Sequence, residues 1–463
     1  VGLYGEYALV FVVAAVATYL LAFPIRRAAF HFGAVAEPDE FRPQRSPVPT
    51  IGGAAMFLGF AVAMVFASQL GALGPVFRGS SEPAGVVLAA LVIYLVGLVD
   101  DIRNISPPAK VAGQVLAAMV LVFLGVTMYY FKIPFVSTIF VLSPSILPLV
   151  TAIWVVAMAN AVNLIDGLDG LAAGIIAIAA GTLCIYGLRL EVLGNLSADN
   201  LGPVIAAITC GVCIGFLPHN FHPARVFMGD GGALFLGLLM AAATMVIGGR
   251  TSANGAAATD VTGLTFFRFA PFFIPFFILG VPILDVAFAI VRRTVRGTSF
   301  AERDLGHLHH RLVRLGHGHR RAVLILWAWT AVLSVFVLLV TFGLHYSAFV
   351  PFGALFLVAV LYTVFLPGAR APAPQPQVVA AGADAAEAGT GTAGAPPIPV
   401  LVSGAAGVAV AGEPDLTAPR SRRRRRVVRR ARRSRNPNMP PRPDPGIGTP
   451  PAHIVRPSDD EGG

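Results

Sequence analysis

Three cysteines in 463 residues are too few for a disulfide framework. All three, Cys184, Cys210 and Cys213, fall in apolar runs. Cys210 and Cys213 have CxxC spacing on one expected helix, but no partner ligands accompany them, so metal and redox chemistry are set aside. Charge is equally scarce. Charged residues make up 13% of the chain against 56% hydrophobic residues, and mean hydropathy is +0.74. That balance excludes an ordinary soluble domain and indicates a polytopic membrane protein. No repeat with a period of about 20–50 residues is present, which excludes a solenoid. The first apolar run lacks a basic start and a small-residue cleavage site, so it reads as a membrane helix and not a signal peptide. No folded recognition module accompanies the basic segments, and nucleic acid is not an expected partner.

Apolar runs long enough to span a bilayer occur at residues 4–24, 51–73, 84–99, 111–129, 147–162, 171–188, 201–217, 231–247, 272–291, 322–342 and 348–366. The expected fold is therefore an all-α polytopic membrane protein with about eleven transmembrane helices. Residues 126–145 mix aromatics, Lys132 and prolines and read as an external loop, with a hairpin on the interface as one form. One set of alternating loops carries Arg26, Arg27, Arg42, Arg45, Arg103, Lys110, Arg225 and eight arginines from Arg292 to Arg321. The other set carries only Arg78, Lys132, Arg189, Arg250 and Arg268. The first set is expected on the cytoplasmic side, with the N-terminus outside and the C-terminus inside. The chain accordingly divides into a membrane domain, residues 1–366, and a tail, residues 367–463. The tail is rich in Ala, Pro, Gly and then Arg, a composition expected to be disordered. From residue 371 onward it holds 13 Arg and 8 acids. Anionic lipid headgroups are its expected partner.

The polar clusters all fall on the expected cytoplasmic side. In NAVNLIDGLDG (residues 160–170), Asn160, Asn163, Asp166 and Asp169 recur every three residues, which favours one face of a helix. An Asp at a bilayer centre costs about 2.5–3.5 kcal/mol, so Asp166 and Asp169 must face water, a cation or a cavity. Their oxygens suit Mg²⁺ and nucleotide; a solvated interhelical loop is the plainer alternative. Asp100 and Asp101 close the third run, where adjacent carboxylates suit a metal or a base, or merely stop the helix at the interface. Lys110 starts the next run, where a phosphate can also meet free backbone N–H groups. The segment HNFHPARVFMGD ends at Asp230 among glycines at a helix start, suited to a phosphate–Mg²⁺ complex or to an N-cap. His307, His309, His310 and Arg311 lie in the largest basic loop, which reads as a polyanion binder. Asp285 stands inside the ninth run, seven residues before Arg292, and pairing between the two is the favoured reading. Together these groups suit a polyanionic soluble substrate reacting at the lipid interface. A transporter would place its polar residues nearer the midplane.

The ordered set PTIGG (residues 49–53), LVDDIRNISPPAK, NAVNLIDGLDGLAAG, HNFHPARVFMGDGG and HLHHRL resembles the polyprenyl-phosphate N-acetylhexosamine-1-phosphate transferases, over residues 1–366. The HLHH form, with no HHHxE run, is similar to the branch using UDP-N-acetylglucosamine (UDP-GlcNAc). That resemblance implies a multi-pass enzyme of the bacterial cytoplasmic membrane. It would move a sugar 1-phosphate from UDP-GlcNAc to undecaprenyl or decaprenyl phosphate and release UMP, using Mg²⁺, with Mn²⁺ as an alternative ion and a homodimer as a compatible assembly. It implies Asp230 and Asn163 as metal ligands, Asp100 and Asp101 as the base and its electrostatic neighbour, and Lys110 as a phosphate contact. Asn160, Asp166, Asp169, Asn220 and Phe227 would serve the substrate, the last three lining a uridine pocket. His307, His309, His310 and Arg311 would hold the diphosphate or the sugar. Where that branch shows Arg-Lys-x-His, this chain has Arg42-Pro43-Gln44-Arg45, and Arg45 is expected to supply the positive charge. Three rival readings are the phospho-N-acetylmuramoyl-pentapeptide transferase branch, a lipid-linked sugar transporter, and an inactive scaffold recruiting partners through its tail.

Overall fold

The computed structural model describes residues 2–36, 47–132, 139–248, 318–342 and 349–365. Arg42, Arg45, Asp285, His307, His309, His310 and Arg311 lie outside the described residues, as do the expected span 272–291 and the tail.

The described chain is mostly helical. In order it forms α1 (Leu3–Phe32), α2 (Gly53–Ser68), the short α3 (Gly74–Arg78), α4 (Glu82–Arg103) and α5 (Pro107–Phe123). After these come α6 (Leu147–Ile165), α7 (Leu171–Val192), α8 (Gly202–Asn220), α9 (Gly229–Gly248), α10 (Gly318–Thr341) and α11 (Phe349–Phe365). Two antiparallel strand pairs interrupt them. β1 (Val35–Ala36) pairs with β2 (Val48–Pro49), placing Val35 opposite Pro49. β3 (Tyr130–Lys132) pairs with β4 (Ile139–Val141), so the loop expected at 126–145 is indeed a hairpin.

Among the described residues, seven helices are long and apolar enough to cross a membrane: α1, α4, α6, α7, α8, α9 and α10. The apolar helices α2, α5 and α11 are shorter. The run at 51–73 is not one helix, because α2 stops at Ser68 and α3 follows as a separate turn. At the other end of the scale, α4 outlasts its apolar run. It continues to Arg103 and ends on Asn104 in the left-handed region, which puts Asp100 and Asp101 on its last turn.

α9 is the axis of the assembly. It is apolar all round, as a fully enclosed helix must be, and every residue from Gly231 to Gly248 is buried. α2, α4, α6 and α8 pack around it, α5 joins α4 to α6, and α1 lies against α2 and α8. α7 packs on α8 and α10, and α10 carries α11. Small residues let the backbones approach closely. A Cβ on Gly97 of α4 would stand 2.5 Å from Gly231 Cα, at the first turn of α9. This contact holds the last turn of α4, with its two aspartates, against the start of the central helix.

Candidate active site

The start of α9 gathers polar groups from four segments. Lys110, from the first turn of α5, places Nζ 2.9 Å from Asp100 Oδ2 and in direct contact with Asp230 Oδ2. The hydrogen-bonding neighbours orient the Asn163 amide near the end of α6. Its nitrogen donates to Asp230 Oδ1 and its oxygen accepts from Lys110 Nζ, both at 3.1 Å. Asp100 Oδ1 accepts the Ile105 N–H at 2.9 Å, which closes the α4–α5 turn. Asp101 points the other way. Its two oxygens accept the backbone N–H groups of Asp230 (2.8 Å) and Gly231 (3.1 Å), so a residue of α4 caps α9.

The backbone beside this cap is built to match. Phe227 N–H donates to Pro49 O at 2.8 Å, and the Gly52 and Gly53 N–H groups donate to Phe227 O and Met228 O at 3.0 and 2.9 Å. The motif at residues 49–53 is thereby laid along the residues that lead into Asp230. Gly229 follows with φ +68°, and a Cβ there would lie 2.3 Å from Thr50 O and 2.4 Å from Asp101 Oδ2. Only glycine satisfies the dihedral and the space together.

Asp100 and Asp230 face one ammonium ion, and with Asp101 on the α9 backbone the locus carries a formal excess of two negative charges. A divalent cation is what would neutralise it, and the donors are the hard oxygens such an ion takes. Among the described residues no group of three or more His, Cys, Asp or Glu forms a ready cage. Mg²⁺ does not require one, since it usually binds through one or two carboxylates plus waters and substrate phosphates. Asp230 and Asn163 therefore fit the ion as ligands.

The other expected site residues divide into two groups. Asn160 is engaged in the helix layer: its Nδ2 donates to Gln114 Oε1 and Val156 O, both at 2.7 Å. The three-residue rhythm that groups it with Asp166 and Asp169 does not continue as one helical face. α6 ends at Ile165, Asp166 is its C-cap, and Gly170 in the left-handed region opens α7. Asp169 thus sits in the turn, where its Oδ2 meets His222 Nδ1 at 2.7 Å and the Ala224 N–H at 3.1 Å. Asn220 is 2% exposed. It braces the same turn, accepting the Gly170 N–H and donating to Val226 O, both at 3.0 Å. Phe227 is half-buried beside Met228.

His222, which the sequence reading left without a role, also enters here, with His319 and Arg320 from the end of the large basic loop. His222 links Asp169 to His319 and Arg320: the two imidazoles stack, and Arg320 Nε donates to His222 O at 3.1 Å. The HNFHP segment was the available signal for His222. Nothing local marks His319 as its neighbour, since the two are 97 positions apart. His219, in that segment too, is buried against Tyr19 and Phe23 of α1 and bonds Tyr19 O, a packing role.

Comparison with known proteins places this geometry in a family. The profile of glycosyl transferase family 4 matches residues 83–248, the stretch that contains Asp100, Asp101, Lys110, Asn163, Asp169 and Asp230. The chain is 42% identical over 334 residues to a decaprenyl-phosphate N-acetylglucosaminephosphotransferase of Mycobacterium tuberculosis, covering 71% of this chain and 81% of that one. It is 34% identical over 319 residues to a Bacillus subtilis protein named probable undecaprenyl-phosphate N-acetylglucosaminyl 1-phosphate transferase, with 69% and 80% covered. A phospho-N-acetylmuramoyl-pentapeptide-transferase of Desulforudis audaxviator is 37% identical over 222 residues, with 44% and 64% covered.

Proposed function

The chain belongs to glycosyl transferase family 4, and we propose that it transfers N-acetylglucosamine 1-phosphate from UDP-GlcNAc to a polyprenyl phosphate. UMP is the second product, and the reaction lies on the cytoplasmic face of a multi-pass membrane enzyme. The observation that carries this reading is the Lys110 ammonium held between Asp100, Asp230 and Asn163 at the capped start of α9. The names of the relatives supply the sugar phosphate and the class of acceptor.

The chemistry requires that arrangement. A phosphate monoester carrying close to two negative charges must approach an anionic pyrophosphate, so catalysis here is mostly positioning and charge neutralisation. Mg²⁺ bound at Asp230 and Asn163 would supply Lewis-acid neutralisation of the pyrophosphate. Lys110 exchanges its carboxylate partners for phosphate oxygens as substrate enters. That exchange frees Asp100 Oδ2, while Asp100 Oδ1 stays anchored on the Ile105 N–H. Asp100 then takes the proton of a monoanionic acceptor. The acceptor oxygen attacks the β-phosphorus of the donor, the bond to the bridging oxygen breaks, and UMP leaves. Asp101 holds the backbone that carries Asp230.

A pH series separates these roles. The acceptor's second pKa lies near 6, so the acceptor is mostly dianionic by about pH 8 without a base. The deficit of Asp100→Asn is expected to shrink between about pH 6.5 and 9, recovering part of the roughly 10²–10⁴-fold that a proton acceptor contributes. A deficit constant across that range would remove Asp100 from the role of base.

The peptidoglycan-type reaction is the second reading. It is disfavoured because the relative of that name aligns over only 44% of this chain. Purified protein offered UDP-GlcNAc and UDP-N-acetylmuramoyl-pentapeptide together, with polyprenyl phosphate and Mg²⁺, tests the choice. Lipid-linked N-acetylglucosamine is the expected product, and lipid-linked muramoyl-pentapeptide would overturn the assignment.

A further inference from the structure

A second cluster of polar groups has no role in the steps above. Asp169 Oδ2 accepts from His222 Nδ1 at 2.7 Å and from the Ala224 N–H at 3.1 Å. An ionised carboxylate only accepts, so the imidazole carries its proton on Nδ1 and presents Nε2 on the opposite side of the ring. His319, at the start of α10, stacks on that ring with centroids 5.3 Å apart and planes 9° from parallel. Arg320 Nε donates to the His222 carbonyl at 3.1 Å. His222 is thus fixed at one edge, on one face and through its own backbone, by residues from the α6–α7 turn and from α10. Its side chain nevertheless remains 33% exposed.

Packing alone does not ask for this. A phenyl ring would stack on His319 equally well, without a carboxylate set against its edge. The charge balance gives the direction. His222 and Arg320 meet in this cluster, and among the described residues Asp169 is the one carboxylate in an ion pair with either of them. An anion is the complementary ligand. Both partners of the Asp169–His222 pair follow or precede a residue of the lysine-centred site in sequence: Asp169 lies six residues beyond Asn163, and His222 lies eight before Asp230.

We propose that His222 binds the phosphate of the uridine nucleotide, the group that departs as UMP, through Nε2, with Arg320 beside it. The inference rests on the nucleotide-sugar reading above and adds a phosphate contact to it. Asp169 fixes the direction of the imidazole, as a carboxylate behind a histidine does elsewhere. His319 keeps the ring from turning.

The test is equilibrium binding of UMP and of uridine to the full-length protein in lipid nanodiscs, by calorimetry with Mg²⁺ present. Wild type is compared with His222→Phe, which keeps the stacking surface, and with His222→Gln, which keeps a polar side chain. A charge-assisted hydrogen bond lost to phosphate predicts UMP affinity reduced roughly tenfold or more in both variants. Uridine affinity should stay within about twofold of wild type. Unchanged UMP affinity in either variant would overturn the proposal. An equal loss for UMP and uridine would also overturn it, because it would mean a base contact or a collapsed pocket. A wild-type protein that binds uridine and UMP equally well would contradict the phosphate contact alone. If wild type binds neither, the nucleotide-donor reading falls and takes this inference with it.

Discussion

Asp230→Asn is expected to abolish transfer while the protein stays folded. The carboxylate meets Lys110 through Oδ2 and the Asn163 amide nitrogen through Oδ1. An amide in its place must turn an NH₂ toward one of those donors, and it removes the charge on which a divalent ion depends. Loss of a single electrostatic group at such a centre typically costs about 10²–10³-fold in rate, and this group would serve both ion and lysine. The fold should tolerate the change, because Asp101 caps the backbone of residue 230 and the rest of α9 is buried among apolar neighbours. UMP release at saturating Mg²⁺, read with the thermal unfolding midpoint in detergent, checks both halves. Activity above about a tenth of wild type would remove Asp230 from the role of ligand, since far more than tenfold is expected.

Asp101→Asn should be nearly as damaging, for a different reason. One amide oxygen cannot serve the Asp230 and Gly231 N–H groups as two carboxylate oxygens do. Leaving a buried N–H unpaired costs about 1–3 kcal/mol, and the start of α9 should shift to recover it. A displacement of about 1 Å at a reacting centre is enough for roughly a 10²-fold loss of rate. The signature is a fall in activity together with a lower unfolding midpoint, with no rescue by high pH or excess Mg²⁺. Asp100→Asn, by contrast, should lose rate with little change in the midpoint. An inactive Asp101→Asn that unfolds at the wild-type temperature would show that Asp101 acts on substrate and not as a cap.

The contrast between the adjacent aspartates shows where sequence reading ends. Their position at the close of an apolar run is plain from composition, and so is the helix start at Asp230. What separates them is the last turn of α4. Both ride on it, but one side chain faces Lys110 and the other faces the α9 backbone, 129 positions away. No local periodicity carries that information. The same limit explains Asn160, whose spacing groups it with Asp169 but whose amide is taken by Gln114 of α5. It also explains the three-residue rhythm, which overran the end of α6 at Ile165 and ran into the turn before α7. Long apolar helices were legible because their apolar composition is continuous. The division of the run at 51–73 was not, because the residues between α2 and α3 are no more polar than the helices around them.

The most direct measurement follows the phosphorus. UDP-GlcNAc labelled with ³²P on its β-phosphate is incubated with the purified protein, polyprenyl phosphate and Mg²⁺, and label is counted in the lipid and nucleotide fractions. Transfer of N-acetylglucosamine 1-phosphate through the Lys110–Asp230 centre predicts ³²P in the lipid and unlabelled UMP in water, with both lost in Asp230→Asn. Transfer of the sugar alone would leave ³²P in UDP, and that result would contradict the account.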